Sequence, residues 1–127
     1  MSVAEDPQED IVKAARRNAD FRREVITGAH SQVVLMAIEP GGEIGEEVHP
    51  EVDQILLFVE GEGEALLDGR SNPVSADQLV FVRAGTRHNF RNTGPGRLRL
   101  ITVYSPPEHP PGTVHRTKEE ADVAEPG

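Results

Sequence analysis

Residues 41–61 read Gly41-Gly42-Glu43-Ile44-Gly45-Glu46-Glu47-Val48-His49-Pro50-Glu51-Val52-Asp53-Gln54-Ile55-Leu56-Leu57-Phe58-Val59-Glu60-Gly61. The stretch has glycines at each end, a polar segment carrying Glu47 and His49, a turn through Pro50 and Asp53, and an apolar run that Gln54 opens. That pattern predicts a strand, a turn and a second strand. Side chains two apart on an extended strand leave the same face, so Glu47 and His49 point together and Glu46 points away. Further along, His88 stands in Arg83-Ala84-Gly85-Thr86-Arg87-His88-Asn89-Phe90-Arg91-Asn92. Glu47, His49, Gln54 and His88 can each donate a lone pair. A single metal ion is the simplest reason to gather them inside one small β-structure.

Outward from this stretch the chain reads as all-β. Val33 to Ile38 is an apolar run of strand length, ended by Pro40-Gly41-Gly42. Further strands are expected at 44–49, 54–60, 64–68, 78–82, 87–91 and 98–104, with the β-rich body starting near Val25. Gly61-Glu62-Gly63 and Asp68-Gly69 supply turns between neighbours. Short strands with Gly-rich turns and no intervening helices argue for a sandwich or barrel. Before the body, Met1 to Asp10 is acidic and reads as a mobile tail, and Asp10 is placed to cap a short helix to about Arg17. After Tyr104, Ser105-Pro106-Pro107-Glu108-His109-Pro110-Pro111-Gly112 cannot be a central strand, because proline lacks the ladder donor. It is expected to run extended across the outside of the barrel. Thr117 with Glu120 matches a capping box, so a short helix follows before a frayed Pro126-Gly127 end. The organisation is thus residues 1–24 as tail and short helix, 25–104 as barrel, and 105–127 as a Pro-rich extension.

Composition bounds the function. The 127 residues suffice for one core. With no cysteine there is no disulfide, thiolate nucleophile or Cys-ligated metal, so any metal must sit on nitrogen and oxygen. A net charge of −9 repels phosphate backbones, and the thirteen Lys and Arg form no basic run, which sets nucleic acid aside. No apolar stretch approaches a membrane span, and the acidic start is unlike a secretory leader. A cytoplasmic protein is expected. No serine stands in a nucleophile elbow and no Gly-rich loop joins a strand to a helix, so covalent acyl transfer and nucleotide cradling are not expected.

Two motifs in this chain resemble those of the cupin superfamily. The usual first motif, G-x5-H-x-H-x4-E-x6-G, is met by Gly41, Glu47, His49, Gln54 and Gly61 with every spacing kept. The usual second motif, G-x5-P-x-G-x2-H-x3-N, is met by Asp77, Arg83, Gly85, His88 and Asn92. The resemblance spans roughly residues 33 to 104. It implies a double-stranded β-helix, a small jelly-roll barrel with short N- and C-terminal helices, whose ligand site lies inside. Glu47 replaces the usual first His and Gln54 the usual Glu, so one carboxylate is kept but moved to another corner. Asp77 and Arg83 replace a glycine and a proline, which bears on turn shape rather than on metal chemistry. Two imidazoles, a carboxylate and an amide oxygen suit one divalent transition metal: Zn, Fe, Mn or Ni. Some cupins, among them a ring-opening enzyme of unsaturated uronate metabolism, use Gln in this corner.

Other residues have plainer readings. Gln54 could instead hydrogen-bond a ligand imidazole. Arg87 and Arg91 read as solvent-exposed charge, and Phe90, Leu56 and Phe58 as inward packing. Gly85 and Asn92 read as turn formers. Tyr104, Glu60 and Arg99 are candidate acid/base or polar pocket groups, although for Tyr104 a core-edge phenol with a wet hydroxyl is the simpler reading. His109 and His115 read as surface histidines that could alternatively fold over a barrel mouth. The function expected is a metal-dependent isomerase, ring-opening enzyme or dioxygenase acting on a small sugar-like or keto-acid molecule. The alternatives are a non-catalytic module that binds metal or a small ligand, and a structural protein without metal. By analogy with other small barrels, a homodimer is expected.

Overall fold

The structure is a computed structural model and describes residues 8–125; the expectations for the first residues and for the Pro126-Gly127 end lie outside them. The elements are α1 (Ile11–Arg17), β1 (Arg22–Thr27), β2 (Gln32–Ile38), β3 (Asp53–Glu60), β4 (Glu62–Leu67), β5 (Arg70–Ser75), β6 (Leu79–Val82), β7 (His88–Asn92), β8 (Leu98–Ser105), β9 (Val114–His115) and α2 (Lys118–Ala124). One sheet runs β6-β3-β8-β2-β1-β9 and the other β5-β4-β7, and each of these strand pairings is antiparallel. The two sheets form the expected double-stranded β-helix.

Alternation along the central strands fills the space between the sheets. Val34, Met36 and Ile38 of β2, Leu56 and Phe58 of β3, Leu98 and Leu100 of β8, and Phe90 of β7 form the inner core. Leu35, Val25, Val59 and Ile101 face the other way and pack with Ala15 beneath α1. The large sheet is therefore covered on both faces at its centre, which is why 33–38 reads as a continuous apolar run rather than an alternation.

The chain departs from the sequence expectation in four places. The strand expected at 44–49 is an irregular segment carrying two isolated bridges, Glu43 with Arg91 and Glu47 with His88. Gly45 at φ +110° breaks the ladder between them, and its N–H is taken by the Asn89 side chain instead of a strand partner. β5 was not anticipated: Arg-Ser-Asn-Pro-Val-Ser has one buried residue and no alternation, and its Pro73 is tolerated because β5 is an edge strand. The Asp68-Gly69 turn that joins it to β4 was anticipated, and both residues have positive φ, as a two-residue hairpin requires. The third departure is the extension after β8, which does not lie extended on the outside. It folds back so that β9 pairs with β1, and His109 and His115 are buried, not surface, histidines. The fourth is the start of α1, where Asp10 is the N-cap residue but makes no side-chain cap bond. The Thr117 cap of α2 does form, with Glu120 N–H donating to its hydroxyl.

The turn positions hold despite the substitutions. Asp77 keeps a positive φ of 75° where the motif usually has glycine, and its N–H donates to the Phe58 carbonyl. Aspartate tolerates this conformation better than most residues. Gly61 is stricter, because a Cβ there would sit 2.6 Å from the Arg97 carbonyl oxygen.

Candidate metal centre

Glu47 and His88 face each other across a narrow bridge and exchange both backbone hydrogen bonds, each 2.9 Å long. Residues paired in this way put their side chains on the same face of the ladder. Two residues on, the His49 carbonyl accepts from Gly85 N–H at 2.8 Å, which pins the next turn of the segment. The result brings Glu47, His49 and His88 together, with one donor atom from each lying within 4.8 Å of the others. His49 Nε2 is 3.5 Å from Glu47 Oε2, and the two imidazole centroids are 5.4 Å apart. Two donors held about 2.1 Å from a shared ion are separated by a similar distance. Glu46 is exposed and pairs with Arg87, so the alternation read from sequence survives the loss of the regular strand.

The buried polar atoms limit what this cluster can hold. His88 Nδ1 lies 2.9 Å from the Thr86 carbonyl oxygen, which accepts and so fixes the ring proton on Nδ1. Nε2 is then a lone pair, and it is buried with no hydrogen-bond partner. Gln54 is on the inward face of β3, paired with Tyr104 of β8, and its Nε2 donates to Thr102 Oγ1 at 3.0 Å. Its Oε1 is likewise buried without a partner. Lone pairs left bare in a protein interior cost roughly 1–3 kcal/mol each unless something meets them. A cation ligated by nitrogen and oxygen fits this donor set.

A cavity of about 630 Å³ opens beside the cluster, lined by Glu46, Glu47, His49, Glu108, His109 and Glu125 together with Val48, Pro50 and Pro110. Glu108 is the residue that the sequence reading missed. Its Oε2 approaches His49 Nδ1 to 3.4 Å, on the opposite side of the ring from Glu47. Burial pushes its carboxyl above the usual range, against the pull of His49. Tyr104 lies under the tail, edge-on to both His49 (6.4 Å) and His109 (5.1 Å). It is buried rather than wet at the hydroxyl, and burial raises its phenol so that it keeps its proton. Burial, with help from Arg22, lowers His109 to about 4, so it is neutral near pH 7. The candidates Glu60 and Arg99 do not join this group. They pair with each other at the far end of the β3–β8 ladder, where Arg99 also donates to the Asn18 carbonyl. The register shift between Phe58 and Glu60 takes Glu60 off the inward face that Leu56 and Phe58 occupy.

A double-stranded β-helix with Glu47, His49 and His88 gathered at one point is the arrangement the cupin resemblance led one to expect. The cupin domain pattern matches residues 34–104, and the chain belongs to that family. It is 43% identical over 123 residues to the uncharacterized protein YrkC of Bacillus subtilis, covering 91% of this chain and 66% of YrkC. The polyketide synthase CurC of Streptomyces cyaneus is 33% identical over 114 residues, covering 87% of this chain and 74% of CurC. The crystal structure of BH2720 from Bacillus halodurans superposes with a TM-score of 0.92 at 41% identity, covering 96% of this chain and 98% of that one. This chain therefore spans slightly less than two thirds of the length of YrkC. Among the described residues, no helix is long and apolar enough to cross a membrane.

Proposed function

We propose that this cupin holds one divalent ion (Zn, Fe, Mn or Ni) on Glu47, His49, Gln54 and His88, and acts there on a small, uncharged organic molecule. The observation that carries this reading is the buried His88 Nε2, a lone pair without a donor that belongs to the Glu47–His49 group. When bound, such an ion polarises a carbonyl or hydroxyl oxygen, or with iron supports dioxygenation. The protein's own residues set the rest. Among the described residues, four carboxylates and no Lys or Arg line the cavity, two of them (Glu46 and Glu125) paired to arginines behind it, so a keto acid or uronate meets more repulsion at the mouth than a neutral sugar-like molecule. This favours isomerisation or ring opening of a polyhydroxylated substrate, with the mouth carboxylates within reach to accept a proton. We also propose a homodimer; Leu79 and Phe81, exposed on the edge strand β6, offer an apolar face for it.

The test is to load the protein with each metal in turn and follow neutral sugars, keto acids, uronates and diketones by NMR. Turnover of a neutral substrate that disappears in His88→Ala supports the proposal, and tighter binding of the anions contradicts it. Binding of a neutral ligand without turnover identifies a non-catalytic cupin module instead.

A further inference from the structure

We infer that Glu108, carried by the Pro-rich segment after the barrel, is a positioning residue of the metal centre: it holds the His49 ring proton on Nδ1 so that Nε2 is free to ligate. The inference rests on the metal reading above and deepens it. His49 is an imidazole between two carboxylates. Glu47 Oε2 lies 3.5 Å from Nε2 and Glu108 Oε2 lies 3.4 Å from Nδ1. A neutral imidazole has one proton, and whichever carboxylate binds it decides which nitrogen keeps a lone pair. If Glu47 took the proton, Nε2 would be blocked on the side where His88 and Glu47 converge. Glu108 prevents that. Its Oε2 is buried and makes no hydrogen bond in the structure, to the His49 ring or to anything else, so the Nδ1–H 3.4 Å away is the donor nearest at hand to satisfy it. Glu108 does not belong to the mutually close donor group of Glu47, His49 and His88, so it acts through His49 rather than on the ion. A carboxylate behind a ligating histidine raises the ligand's basicity as well as fixing its orientation.

The fold takes trouble to put Glu108 there. Pro106, Pro107 and Pro110 stiffen the segment on either side. Gln32, buried at the start of β2, uses its whole hydrogen-bonding capacity as a clamp. Its Oε1 accepts from Glu108 N–H (3.2 Å) and His109 N–H (3.0 Å), and its Nε2 donates to the His109 carbonyl (2.6 Å) and Thr27 Oγ1 (2.9 Å). The His109 ring then packs edge-on against Tyr104, whose own ring meets His49. A segment that merely covered a barrel end would not need its backbone fixed on both sides of one carboxylate.

Ring 15N NMR of His49 in the metal-free protein at pH 8, alongside Zn²⁺ and Mn²⁺ affinities, tests this in the wild type, Glu108→Ala and Glu108→Gln. The wild type should carry the proton on Nδ1. Glu108→Gln keeps an acceptor oxygen and should retain that tautomer, with affinity within about threefold. Glu108→Ala should move the proton to Nε2, toward Glu47, and lose about 10–100-fold in affinity. A proton on Nε2 in the wild type, or Glu108→Ala with the wild-type tautomer and affinity, overturns the inference. If the wild type takes up neither metal while the tautomer still follows Glu108, the metal reading is what fails.

Discussion

Two buried polar clusters lie a few side chains apart in this molecule and are built on opposite principles. Under the tail, Gln32 is fully bonded, Glu24 accepts from Thr27 Oγ1 and Gly112 N–H, His109 meets Glu125, and His115 meets Arg22. In the barrel, Gln54 Oε1 and His88 Nε2 are lone pairs with no hydrogen-bond partner, while Glu108 Oε2, also without one, faces the His49 ring. Among the described residues, the fourth buried side-chain atom without a partner is a donor, Arg22 Nε. Satisfied networks hold structure together, whereas a set of bare acceptors is held ready for something positive. The difference sets the clamp apart from the proposed metal site.

Substitutions that remove polarity should therefore have crossed effects in the two clusters. The largest is expected at the clamp. Gln32→Leu strips partners from Glu108 N–H, His109 N–H and the His109 carbonyl, and should cost roughly 4 kcal/mol in urea unfolding. Next is acid sensitivity. His109 titrates at about 4 in the folded protein, held down by burial and Arg22 while Glu125 pulls the other way and His115 adds to the lowering. An unfolded histidine titrates near 6.5, so between those values the unfolded chain binds more protons and stability falls as pH drops. About 3 kcal/mol should be lost between pH 6.5 and 4, and His109→Asn should flatten that slope in thermal melts. At the site the pattern reverses. His88→Leu should lower metal affinity at least 100-fold by calorimetric titration, yet leave the metal-free protein within about 1 kcal/mol of wild type. Gln54→Leu should show the smallest effect, about tenfold in metal affinity with little change in metal-free stability. A His88→Leu variant as destabilised as Gln32→Leu would erase the distinction between the clusters.

Much of this was legible in the sequence, and the reason is geometric. Strand parity placed Glu47 and His49 on one face, and the resemblance to the cupin motifs added Gln54 and His88 to them. That parity persisted even where Gly45 broke the regular ladder. Short apolar runs and turn residues pointed to a sandwich or a barrel, and the resemblance implied the double-stranded β-helix. The tail was not legible. Its placement depends on Gln32, 76 positions before Glu108, and a long-range amide clamp leaves no periodic trace. For the same reason His109 and His115 read as surface residues, and Glu108 went unnoticed between prolines. Glu60 and Arg99 look pocket-facing only until the register shift after Phe58 is known.

The central claim is that lone pairs from one acid, one amide and two rings converge on a single cation. An anomalous-scattering crystal map of protein soaked in Mn²⁺ or Zn²⁺ tests it most directly. The account predicts one strong peak about 2.0–2.3 Å from Glu47, His49 and His88, with Gln54 Oε1 turned toward it. A map with no peak there, or with its peak at His109 and His115, would contradict it.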